Sequence, residues 1–179
     1  MKGAGELHDC ILLLLLGGAA LSDLRFLRIG NRLLLAGLTA VTLAHLAEPV
    51  APESRSLLAG LLLEAVMLWL FAHRMTGAGD VKLDALILYA KPNKAGLGIL
   101  VLGTLMGAAY GLWRLTLNGM WRQRYRHLMR YIRQSAQGEP FAYYARERDG
   151  AGPVIPMAVF MLAAAFVITF QVKTGISGG

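Results

Sequence analysis

The sequence predicts an all-α membrane protein with about six transmembrane helices, and three observations predict it. The first is apolar content: 56% of the 179 residues are hydrophobic. With glycine counted and tyrosine left out, the share is roughly 64%, against about 45–50% in soluble domains. The second is scarce charge, 16% of residues against about 25% on average, with a mean hydropathy of +0.51. The third is pattern: the apolar runs are long, rich in Leu and Ala, and lack the period-two alternation of strands. Open strand edges could not be satisfied in lipid either. Together these exclude disorder, a collagen-like fibre, a disulfide scaffold and an ordinary cytosolic enzyme. The length suits a single domain, residues 1–179.

A helix needs about 20 residues to cross about 30 Å of hydrocarbon. Spans are expected near Leu7–Asp23, Arg32–Ala47, Ser56–Met75, Val81–Ala90, Ala95–Leu117 and Val154–Val172. The first run is read as a span and not a signal peptide, because Glu6 and Asp9 stand where a positive segment belongs and five apolar runs follow. The fourth is short, since ten residues cover only about 15 Å. The fifth carries Gly103, Gly107 and Gly111, a doubled Gly-x-x-x-Gly stripe that lets a neighbouring helix approach closely. Packing inside the bundle is expected of it rather than homodimerisation; composition leaves the oligomeric state open. Between spans five and six lies a basic loop, 118–152. Trp121, Tyr125, Leu128, Met129 and Ile132 share one helical face there, with Arg122, Arg126, Arg130 and Arg133 on another. The expectation is an amphipathic helix on the anionic cytoplasmic leaflet.

The net charge of +7 does not point to nucleic acid, because the basic residues cluster between apolar runs. Arg25, Arg28 and Arg32 lie in the first connection, His73, Arg74 and Lys82 flank the third, and eight arginines crowd the fifth and its borders. The second and fourth are poor in Arg and Lys. The positive-inside rule therefore puts the odd connections in the cytoplasm and both termini outside it, in a multi-pass protein of the plasma (inner) membrane. The single Cys10 makes no internal disulfide or Cys-rich zinc site. His8, His45, His73 and His127 lack metal-ligand spacing and read as structural or interfacial.

Acids within spans are costly, so Asp23, Glu64, Asp80 and Asp84 each need a reason. Asp23 ends the first span and Asp80 begins the fourth, so the arginine-derived topology puts both near the cytoplasmic face. Two carboxylates a few Å apart cannot easily both ionise. One takes a proton from water while the protonated one polarises a scissile carbonyl, and the pair titrates as a unit. Gly77-Ala78-Gly79 is expected as irregular backbone at membrane depth, facing water or buried in protein. The alternatives are a helix-end Asp23 answering Arg25 or Arg28, and Asp80 as an N-cap. Glu64 requires a partner, with His45 as the candidate. Asp84 lies one turn after Asp80 and either influences the pair or bonds to a neighbouring span.

Gly77-Ala78-Gly79-Asp80-Val81-Lys82-Leu83 resembles the Gly-x-Gly-Asp motif of the type IV prepilin peptidases, including the Lys two residues after the Asp. Ser22-Asp23-Leu24-Arg25, followed by Ile29 and Asn31, is similar to that family's first aspartate and its trailing Ile-Pro-Asn, with Gly30 in place of Pro. Ile155-Pro156 resembles the opening of its last span. The resemblance implies a membrane aspartyl endopeptidase that cuts the basic leader of a prepilin or pseudopilin at the cytoplasmic face. Asp23 and Asp80 would be the catalytic pair, with Gly77, Gly79 and Lys82 as motif support. It implies no cofactor and no metal for proteolysis. Many larger members also methylate the new N-terminus with S-adenosylmethionine, and no methyl-donor site is legible here. Larger members carry Cys-x-x-Cys pairs before the first span; this chain is similar to the short, core-only type of tight-adherence (Flp) pilus systems. Asp84 departs from the usual apolar residue. Presenilin-like proteases share the Gly-x-Gly-Asp element in longer chains. The competing readings are a non-catalytic membrane subunit of a pilus or secretion assembly, and a small proton-coupled transporter using Glu64, Asp80 and Asp84.

Overall fold

The structure, a computed structural model, describes residues 4–26, 28–73, 76–117, 126, 129 and 155–174. Among them it forms six helices and no strand: α1 (Ala4–Phe26), α2 (Asn31–Ala47), α3 (Ser54–Ala72), α4 (Ala78–Ala90), α5 (Lys94–Leu117) and α6 (Met157–Thr174). Three of them, α1, α3 and α5, are long and apolar enough to cross a membrane, while α2 and α6 are shorter apolar helices. The expected amphipathic helix falls on 118–152, which lies outside the described residues except for 126 and 129.

Local chemistry explains where the boundaries depart from expectation. The sixth helix starts at Met157, not Val154, because Pro156 disfavours helical backbone in the residue before it. Helix α3 stops at Ala72, and the ring of the next residue, His73, turns back to the carbonyl of Trp69 through Nδ1 at 2.8 Å. Helix α1 runs past Asp23 to Phe26, with Glu6 in its first turn and Arg25 in its last, both favourable to the helix dipole. The largest correction concerns Gly77-Ala78-Gly79. Only Gly77 is extended, at φ −82° and ψ 144°, and it caps α4; Ala78 and Gly79 already belong to the first helical turn. The N–H groups of Asp80 and Val81 close on the Gly77 carbonyl at 3.2 and 3.4 Å.

The core is a stack of apolar side chains from α1 (Leu12, Leu16, Ala19), α4 (Leu83, Ile87) and α6 (Met161, Ala164). Helix α4 touches all five others. Helix α5 packs most extensively on α6, and the glycine stripe is the reason. A Cβ on Gly103 would strike the side chain of Met161, one on Gly107 would lie 2.7 Å from Met157 Sδ, and one on Gly111 would lie 2.6 Å from Ile155 Cδ1. The stripe thus serves packing within the chain. Outward leucines such as Leu14, Leu35, Leu46 and Leu62 remain exposed, as a bilayer-facing surface requires.

The two ends of the bundle are distinct. At one, the first connection meets the start of α4: Ile29 lies against Gly79, and Lys82 Nζ donates to Asn31 Oδ1 at 3.0 Å. At the other, the second and fourth meet, with the Glu53 N–H on the Pro92 carbonyl at 2.9 Å and Asp9 ion-paired to Lys91. His8 and His45 sit at this second end. His45 Nε2 is 3.0 Å from the Tyr89 carbonyl, so that nitrogen carries the proton, and its Nδ1 accepts from His8 Nε2 at 3.2 Å.

Replacing Gly103 by Val is expected to cost about 1–3 kcal/mol of stability through overpacking. Gly17→Ala, where an added Cβ meets nothing within 4 Å, is expected to cost none. Equilibrium unfolding in detergent micelles distinguishes the two.

Candidate active site

Asp23 occupies the last turn of α1 and is 5% exposed. Its Oδ2 accepts a hydrogen bond from the Ala158 N–H at 3.3 Å. That N–H belongs to the first turn of α6, where backbone donors have no partner within their own helix and the helix dipole is positive. Asp23 makes no ion pair with Arg25 or Arg28, which are both exposed. The neighbouring Ser22 hydroxyl donates to the Arg28 carbonyl at 2.7 Å, folding the first connection back over the end of α1.

Asp80 is the third residue of α4, not its N-cap. Its carboxylate reaches back to the Gly77 N–H, as the acidic member of a capping box does. A Cβ at position 77 would lie 3.1 Å from Asp80 Oδ2, and one at position 79 would lie 3.2 Å from Ile29 Cβ. Both motif glycines therefore admit close neighbours: Gly77 leaves room for the carboxylate, and Gly79 leaves room for the first connection. Asp80 and Asp23 are near enough to repel each other electrostatically. The structure thus brings the two sequence-predicted aspartates to one end of the bundle, from helices far apart in the chain. Lys82 is exposed and turned toward Asn31, and makes no ion pair with either aspartate.

The remaining two acids follow Asp80 inward. Asp84, one turn on, is 5% exposed and faces both Asp80 and Glu64. Glu64 does not pair with His45, whose ring is committed to His8 and the Tyr89 carbonyl. Its Oε2 is buried and accepts no hydrogen bond among the described residues. Glu64 also lines a cavity of about 520 Å³ between α2, α3 and α4, with His45, Leu61, Ala85 and Tyr89. No group of three or more metal-binding side chains occurs among the described residues.

Sequence reasoning missed the Ala158 N–H, which no side chain announces. The one signal for it is Ile155-Pro156, because a proline there starts α6 at the level of Asp23.

The sequence profile of the type IV leader peptidase family matches residues 10–112, more than half of the chain. The chain belongs to the type IV leader peptidase family. No curated protein and no solved structure matches it significantly. Family membership and three membrane-length apolar helices make it a membrane protein, and the family is one of aspartic-type proteases that remove leaders. The matched stretch contains Asp23, Asp80 and all the residues between them, whereas α6, which supplies the Ala158 N–H, lies beyond it.

In this chain the first connection tolerates glycine where the family resemblance has proline, for a conformational reason. Gly30 sits at φ −70° and ψ 134°, a backbone that proline adopts unstrained. A Cβ there meets nothing within 4 Å, and among the described residues its N–H donates to no backbone carbonyl. Gly30→Pro is expected to raise stability by about 0.4–1 kcal/mol by restricting the unfolded chain. Thermal unfolding of the purified variant checks it.

Proposed function

We propose that this protein is a membrane aspartyl endopeptidase that removes the basic leader of a prepilin or pseudopilin at the cytoplasmic face of the plasma membrane. Asp23 and Asp80 are the catalytic pair in this reading. The observation that carries it is the placement of Asp23 and Asp80 at one end of the bundle, in a chain of the leader peptidase family. Arg25, Arg28, Arg32 and Lys82 belong to that end, which supports a cytoplasmic placement and termini on the other side. The whole chain acts as one peptidase domain, with the basic loop 118–152 at the lipid surface.

The chemistry needs one protonated and one ionised carboxyl. The ionised one accepts a proton from a water molecule as that water attacks the scissile carbonyl. The protonated one donates a hydrogen bond to the carbonyl oxygen as negative charge develops on it. Collapse of the tetrahedral species breaks the C–N bond, and the amine leaves with a proton returned by the pair. Water is the only co-reactant, so proteolysis requires no cofactor. S-adenosylmethionine enters only if the new N-terminus is also methylated, which the mass of the mature product reports separately.

Asp23→Asn and Asp80→Asn are each expected to reduce leader removal from a co-expressed prepilin by roughly 10²–10⁴-fold. Asp84→Asn and Glu64→Gln are expected to retain measurable cleavage. Immunoblotting of precursor and mature substrate, at matched enzyme levels, measures both. Full processing by either of the first two variants would sink the peptidase reading and favour a non-catalytic assembly subunit.

A further inference from the structure

Two contacts fasten the first turns of α4 to the connection between α1 and α2. Ile29 lies against Gly79, and Lys82 Nζ donates to Asn31 Oδ1 at 3.0 Å. Positions 79 and 82 are three residues apart and share one helical face. Asp80, one residue from Gly79, points about 100° further round the helix. A grip on 79 and 82 therefore sets the rotation of α4 about its axis, and with it the direction of the Asp80 carboxyl. The other end of the grip is the segment that follows Asp23. Asn31 opens α2 directly after the Gly30 cap, and Ser22 holds the connection through the Arg28 carbonyl at 2.7 Å. The chain from Asp23 to Asn31 and the chain from Asp80 to Lys82 are thus two arms joined at their far ends.

We infer that Lys82 and Asn31 form a single positioning unit that fixes the separation and relative orientation of Asp23 and Asp80. The inference rests on the peptidase reading for its catalytic consequence. Lys82 does not act as a counter-ion to the aspartates, since its ammonium is turned to Asn31 and forms no ion pair with them. A misplacement of about 1 Å between reacting groups costs up to about 10²-fold in rate, so a grip at this distance from the chemistry has kinetic weight.

The test is a double-mutant cycle on the full-length enzyme in detergent, with leader removal followed for a purified precursor. Lys82→Met and Asn31→Ala are each expected to lower kcat roughly 10-fold, with KM within twofold of the parent. The double variant is expected to be no slower than the worse single, and Asn31→Asp, which keeps an acceptor for the lysine, to stay within about threefold of the parent. Multiplying losses in the double variant, a KM rise at unchanged kcat for Lys82→Met, or no loss in either single overturns the inference. A second measurement does not depend on activity. In a Cys10→Ser background, spin labels at Arg28 and Ala78, both exposed, report the distance between the two arms. Lys82→Met is expected to broaden that distribution, and an unchanged one overturns the inference. Broadening in a chain whose parent cleaves no precursor leaves the grip standing and removes the peptidase reading.

Discussion

The rest of the structure depends on α4 being short and still lying at the centre of the bundle. Its 13 residues reach about 20 Å, well short of about 30 Å of hydrocarbon. A helix that short, enclosed by the other helices, needs protein partners for the backbone groups left over at its ends. The other five helices surround it, and both ends are met by polar partners. At the start, the Asp80 carboxylate takes the Gly77 N–H. At the end, His45 donates to the Tyr89 carbonyl and the Lys91 N–H returns to Ile87. The histidine pair is thereby explained as part of the termination of α4, held by His8 from α1, with no need of a metal or a relay.

That geometry also orders the acids. Asp80 is at the mouth of α4, Asp84 one turn further in, and Glu64 opposite Asp84 on α3. None of them has a cationic partner among the described residues. Asp84 follows Asp80 by one turn on the same face of α4, so the inner acids extend the setting of Asp80 rather than forming a separate site. The ion pairs of Asp9 with Lys91 and Glu53 with Lys94 lie at the opposite end.

Much of this was legible before any coordinates. The spacing of Gly103, Gly107 and Gly111 announces a close helix neighbour, and the short fourth run marks α4 as unusual. These signals lie in side-chain type and period, which sequence displays directly. What stayed hidden depends on backbone groups. His45 offers itself as a candidate for Glu64 because an imidazole and a carboxylate are visible as residues, whereas the partner it has is a carbonyl left over at a helix end. The Ala158 N–H at Asp23 was hidden for the same reason. Gly77-Ala78-Gly79 looked irregular by composition, yet an acid three positions after Gly77 can close a cap, and that tips Ala78 and Gly79 into the helix.

In the proposed reading Asp80 carries two physical duties, and they are separable in principle. As a cap it needs only an oxygen able to accept from the Gly77 N–H, and an amide side chain has one. As half of an aspartyl pair it needs a titratable proton, and an amide has none. Asp23 is built the same way, since its contact with the Ala158 N–H also asks only for an acceptor. Exchange of either carboxylate for an amide preserves the helix-end hydrogen bonds while removing the acid–base chemistry. The fold at this end of the bundle requires oxygen acceptors at positions 23 and 80, and ionisable acids exceed that requirement. Burying ionisable groups where neutral amides would serve the architecture has a cost in desolvation. The proposed proton-transfer role accounts for that excess, and helix capping alone does not.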